Sequence, residues 1–109
     1  MKTVTADGVE YVAKQTTGSI TLVRTRSAGV HFGTLASCDG TEVVLNNARR
    51  LWSWAGACSL SQVAVDGVDI ANSKISCTVP QITLTEAIEL IPMSLKAGAS
   101  MMEATPWKK

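Results

Sequence analysis

The chain predicts a mainly β or α+β fold: one curved antiparallel sheet, arranged as a β-meander, with one or two short helices. Three observations carry that prediction. Apolar and β-branched residues recur in short runs at 20–26, 30–36 and 41–45,. Glycine-bearing polar turns, Ser27-Ala28-Gly29 and Cys38-Asp39-Gly40, separate those runs, and Asp-Gly is a preferred hairpin pair because both residues tolerate positive φ. Finally, 109 residues of which 46% are apolar suit one domain with a real core and argue against disorder,. The expected unit is therefore a single domain over 1–109. Its core lies at about 20–92, and a C-terminal helix and tail occupy 93–109.

Taken in order, Val4, the Asp7-Gly8 pair, Val9, Tyr11 and Ala13 read as a short hairpin, and 15–19 as a polar break,. Residues 20–26 follow as a strand, with Arg24 and Arg26 two apart and so on one face,. In the strand 30–36, Val30, Phe32 and Leu35 are apolar, and Gly33 marks a bulge or the close approach of another backbone,. Residues 41–45 make a third strand, closed by Asn46-Asn47 read as a turn,. If 48–54 is extended, Arg50, Trp52 and Trp54 share one face, and Arg49, Leu51 and Ser53 the other,.

A short helix is expected over 59–65, with Ser59 as N-cap and Gly67 past its end,. Residues 66–73 are rich in turn formers. The run 82–91 fits two periods. Leu84, Glu86, Ile88 and Leu90 would form a strand face, whereas Leu84, Ala87, Ile88 and Ile91 would form a helical stripe,. Dense Thr and Ile, with Pro92 closing the run, favour strand. Ser94 then caps a short helix reaching 104, weakened by Gly98, and 105–109 is a tail,.

Composition narrows the function. Ten Lys or Arg against nine Asp or Glu leave a net charge of +1, which argues against steering to nucleic acid or an anionic membrane. No apolar run approaches the ~20 residues of a spanning helix, and the first residues show no apolar signal segment, so a cytosolic setting is expected. Cys38, Cys58 and Cys77 are an odd number at wide spacing, and His31 is the only histidine. That supply predicts reduced thiols, no disulfide framework, no metal site and no cofactor. It also leaves a nucleophile without an evident base, so no enzyme is expected and no catalytic residue is assigned.

Arg49-Arg50 with Trp52 and Trp54 is the most suggestive cluster. Guanidinium forks match phosphate oxygens, and indoles offer stacking surfaces. Arg24 and Arg26 could add charge from a neighbouring strand. His31-Phe32 beside Gly33 could receive a base or sugar. Against these readings stand a core Phe with a half-buried His, Arg-on-Trp stacking as plain surface architecture, and a subunit interface, since Trp and Arg are also interface anchors. Three Trp residues, near-zero charge and a mean hydropathy of +0.18 leave apolar surface to be covered and point to a homo-oligomer,.

The stretches Arg24-Thr25-Arg26-Ser27-Ala28-Gly29-Val30-His31-Phe32-Gly33-Thr34-Leu35, Glu42-Val43-Val44-Leu45, Ala48-Arg49-Arg50-Leu51-Trp52-Ser53-Trp54-Ala55-Gly56-Ala57 and Leu84-Thr85-Glu86-Ala87-Ile88-Glu89-Leu90-Ile91-Pro92 resemble a family of short phage and prophage proteins of unknown function, DUF6948. The resemblance spans about 22–92. It implies phage or prophage origin and a host-cytoplasmic setting, with a virion location as the alternative, and it implies no established activity. The leading expectation is a phage-encoded accessory protein that binds a phosphorylated or nucleotide-like small molecule, in one form sequestering a host immune signalling nucleotide. Two alternatives stay open: a virion-assembly or interaction protein without a small ligand, and a protein-directed inhibitor of a host enzyme.

Overall fold

The structure, a computed structural model, describes residues 18–107; the hairpin expected around Asp7-Gly8 lies outside them. The described chain runs β1 (Ile20–Thr25), β2 (Val30–Asp39), β3 (Glu42–Ser53), α1 (Leu60–Asp66), a 3-10 turn (Ile70–Asn72), β4 (Lys74–Ile75), β5 (Val79–Leu84), β6 (Ala87–Pro92) and α2 (Leu95–Met102). The expected meander is present as β1, β2 and β3, all antiparallel. The turns fall where glycine was read: Gly29 and Gly40 both have positive φ,.

The strands form one six-stranded sheet in the order β4-β3-β2-β1-β6, with β5 also paired to β3. β5 and β6 are separated only by Thr85 and Glu86, yet β5 pairs with β3 and β6 with β1. So short a link between opposite ends of the sheet forces it to curl. The closing corner is tied by backbone bonds from Ala87 N–H to the Thr41 carbonyl and from Arg26 N–H to the Glu86 carbonyl, each 3.0 Å.

Both faces of the curled sheet are buried, so β1 reads as a near-continuous apolar run rather than a strict alternation. Leu22, Phe32 and Leu51 face the helices and pack with Val63 and Ala64 of α1 and Ala97 and Met101 of α2. Val23, Leu35, Val43, Leu45, Ala48 and Leu84 fill the inside of the curl. Ser59 and Ser94 cap the two helices as read, accepting from the N–H of Gln62 and Ala97. Gly98 has a packing reason: a Cβ there would stand 3.1 Å from Ile20 Cδ1.

Two expectations are corrected. Residues 82–91 are strand, but two strands rather than one, because the chain turns the corner at Thr85-Glu86. Asn46-Asn47 is not a turn, since β3 runs unbroken through both. Asn47 is instead a bulge with φ 51°. Between the pairs Phe32↔Arg49 and Thr34↔Asn46, Gly33 alone faces Asn47 and Ala48,. Gly33 meets the expectation of a close approach, since a Cβ would sit 2.9 Å from the Asn46 carbonyl oxygen; the bulge itself lies opposite it, in β3.

Candidate functional site

The bulge decides which arginine faces where. Val43 and Leu45 point into the curl. One extra residue then shifts the alternation, so Ala48, Arg50 and Trp52 take that side, and Arg49 and Leu51 turn to the helices,. The expected split of Arg49 from Arg50 and Trp52 is what the structure has. Trp54 departs from it, because β3 ends at Ser53 and Trp54 packs against the helix-side core.

Arg49 is 2% exposed. Its Nε donates to the Ser76 carbonyl at 2.8 Å, and Nη1 donates to the Met102 and Met101 carbonyls at 3.0 and 3.2 Å. It thus satisfies carbonyls at the C-terminal end of α2, where a cation also complements the helix dipole. Burial pulls this guanidinium below the ordinary arginine value, and the neighbouring Cys77 works in the opposite direction. Its Nη2 is buried without a hydrogen-bond partner.

Arg50 is held differently. Its guanidinium carbon lies 3.6 Å from the Trp52 ring centroid,. On the other side is Gly29, where an added Cβ would stand 2.8 Å from Arg50 Nη2. The group is therefore packed between Gly29 and the Trp52 ring. Among the described residues, no hydrogen bond or ion pair engages it. The stack continues outward: Trp52 meets Trp107 at 6.3 Å, and Lys74 Nζ lies 5.1 Å from the Trp107 ring. Trp107 is held there by its N–H, which donates to the Ile75 carbonyl at 2.7 Å.

His31 pairs with Arg50 across β2 and β3 and is 5% exposed. Its Nε2 lies 2.9 Å from the Ala28 carbonyl. That contact requires the N–H on Nε2 and leaves Nδ1 as the acceptor. Burial, and then the Arg50 charge, hold His31 below its ordinary value despite the Ala28 bond, so the ring is neutral at pH 7. Together His31, Arg50 and Trp52 border a shallow groove of about 230 Å³, walled also by Val79, Ile82, Ser76 and Cys77. Arg49 borders it as well, and among the described residues no carboxylate does.

Of the remaining candidates, Phe32 is wholly buried in the helix-side core and offers no face to a ligand. Arg24 and Arg26 are exposed but do not border the groove. Arg26 borders a separate depression at the closing corner with Thr41, Thr85 and Glu86. Sequence reasoning missed Ser76, which follows β4 alongside β3, and Val79 and Ile82, which reach the groove because β5 crosses back to β3. Ser76 fixes the rim: its hydroxyl accepts from Arg50 N–H at 2.8 Å and donates to the Cys77 carbonyl at 2.9 Å. Neither helix is long and apolar enough to cross a membrane.

Residues 18–101 match the family described as Domain of unknown function (DUF6948), and the chain belongs to that family. No curated protein matches it. Among solved structures the chain is similar to a heptameric archaeal Sm protein. Identity is 16%, 71% of this chain and 88% of that chain are covered, and the TM-score is 0.45. A likeness this distant says nothing of assembly or ligand.

Proposed function

We propose that this DUF6948 member is a binding module that takes a phosphorylated, nucleotide-like small molecule in the groove beside Arg50 and holds it rather than transforming it. One observation carries the reading. The Arg50 guanidinium is packed between Gly29 and the Trp52 ring, and among the described residues nothing claims its donors and no carboxylate borders the groove that it shares with Arg49. A pre-positioned fork loses little freedom on binding. Charge-assisted bonds to a phosphate are roughly twice as strong as neutral ones. Val79 and Ile82 supply an apolar wall for a ring, and the His31 Nδ1 supplies an acceptor.

Holding rather than turnover is supported by the same groove. Its one base, His31, has no partnered nucleophile, since the Ser76 hydroxyl proton is committed to the Cys77 carbonyl,. Calorimetric titration with a nucleoside, its monophosphate and its diphosphate tests the reading. Binding should require the phosphate and vanish in Arg50→Ala. Equal affinity for the bare nucleoside, or an unchanged Kd in Arg50→Ala, overturns it.

A second reading is favoured by a different observation: Trp52 and Trp107 touch and are 50% and 41% exposed. Exposed Trp flanked by Arg and Lys suits a protein–protein contact. Under that reading Trp52→Ala lowers the mass in native mass spectrometry, whereas under the ligand reading the mass stays fixed.

A further inference from the structure

We propose that the indole pair Trp52–Trp107 is a second ring-stacking subsite continuous with the groove, so that the molecule held there is a dinucleotide, two rings joined through a phosphate. The proposal rests on the reading of Arg50 as the phosphate fork. The size of the groove is the first observation. Its volume of about 230 Å³ falls below the roughly 300–1,000 Å³ of sites that enclose a small ligand whole. A phosphate against Arg50 and one ring against Val79 and Ile82 fill it, and the remainder of a ligand lies on the rim.

The rim on the Trp52 side suits a ring. Trp52 borders the groove, and Trp107, which does not, meets it with 6.3 Å between ring centroids and 57° between planes. Both indoles keep much of their surface open to solvent. Every base has a flat face that stacks on such a surface. Trp107 is also fixed in this place from β4. Its N–H donates to the Ile75 carbonyl at 2.7 Å, which ties the segment after α2 to that strand, and Lys74 sets Nζ 5.1 Å from the Trp107 ring.

The result is a row of four side chains, Arg50, Trp52, Trp107 and Lys74, with a cation at each end and two rings between. Among the described residues, no ion pair engages either cation. Stacked indoles alone would suit any apolar partner. Flanked by unpaired cations and continuous with the groove, they suit one that carries phosphate as well as rings. A chain with a net charge of +1 lacks the long-range field that draws polynucleotides,. The fit is therefore to a free dinucleotide rather than to a strand.

The test titrates the full chain calorimetrically with two probes of equal charge: a 5′-phosphorylated deoxyadenosine dinucleotide and its abasic analogue, which lacks only the second adenine. The complete dinucleotide should bind roughly tenfold tighter. That advantage should disappear in Trp107→Ala and largely survive in Trp107→Phe, which keeps a ring in place. Equal affinity for the two probes, or an advantage that persists in Trp107→Ala, overturns the proposal. So does a fall in native mass in Trp107→Ala, which would give the indole pair to a subunit interface. A deoxyadenosine hexanucleotide bound about a hundredfold tighter, with a steep salt dependence, would show a strand and overturn the free-dinucleotide class. Phosphate-dependent binding that is lost in Arg50→Ala but gains nothing from the second adenine removes the stacking subsite alone; binding without phosphate dependence removes both readings.

Discussion

Replacing Arg49 should cost far more stability than replacing Arg50, although the two are adjacent and identical in type. In Arg49→Ala, the carbonyls of Ser76 and Met102 lose their side-chain donor, while that of Met101 keeps the Ala104 N–H at 3.3 Å. Each buried acceptor left unmade costs about 1–3 kcal/mol. Part of that is returned, because burying a guanidinium with one unpartnered nitrogen costs several kcal/mol in the native protein,, and water can reach the vacated space. The net loss should be about 3 kcal/mol, a large share of the 5–15 typical of such a domain. Arg50→Ala forfeits chiefly a half-exposed cation–π contact, about 1 kcal/mol,. Urea unfolding at pH 7 measures both. With an m-value of about 1.5 kcal/mol/M, the Arg49→Ala midpoint falls by about 2 M. Arg49→Met, which fills the space without the charge, should fall between the two variants. A loss in Arg49→Ala no larger than in Arg50→Ala would refute the view that Arg49 is a structural cap on α2.

Three further outcomes are expected. Gly29→Ala places a Cβ against the Arg50 guanidinium at a φ of +86°; it should cost about 1–2 kcal/mol in urea and shift Trp fluorescence as Arg50 leaves Trp52. Gly33→Ala meets backbone rather than a movable side chain, so it should destabilise by about 2 kcal/mol or more, and a near-neutral result would contradict the close approach at the bulge. His31 is held below its ordinary 6.5, first by burial and then by Arg50. The unfolded chain therefore binds a proton near pH 6.5 that the folded chain does not yet bind. Stability should be flat above that pH, fall as pH drops below it, and level off beneath the folded value. His31→Gln should lack this acid-side slope, and an identical slope in both proteins would exclude His31 as its source.

Much of the fold was legible because local rules and the tertiary answer agree. Glycine turns, Ser caps and β-branched runs placed β1, β2, α1 and α2. Legibility failed where the chain's behaviour depends on a distant partner. Nothing local says that the run through Thr85 and Glu86 must break; it breaks because β5 is committed to β3 and β6 to β1. Asn46-Asn47 carries turn chemistry, and Asn47 does take the left-handed conformation a turn would use, but the ladder resumes on both sides of it. The site was half legible for the same reason. Arg50, Trp52 and His31 come together because two neighbouring strands hold them. Phe32, by contrast, is taken by the helix-side core, while Val79 and Ile82 of β5, and Ser76 and Cys77 of the link from β4 to β5, arrive through pairings the sequence does not display.

The bulge connects these two successes and failures. Were Asn47 paired as a regular strand residue instead of bulging, alternation would carry Val43 and Leu45 on to Arg49 and Leu51 along the inside of the curl,. Arg50 would then face the helices and Arg49 the groove. With it, one arginine stands at the end of α2, where carbonyls need a cation, and its neighbour stands on Trp52, where its donors remain free. Gly33 is what lets the partner strand accommodate the displaced backbone. Two adjacent arginines of equal intrinsic chemistry thus receive opposite roles from a single backbone irregularity. The candidate site is accordingly a property of the register between β2 and β3 more than of the Arg-Arg pair itself.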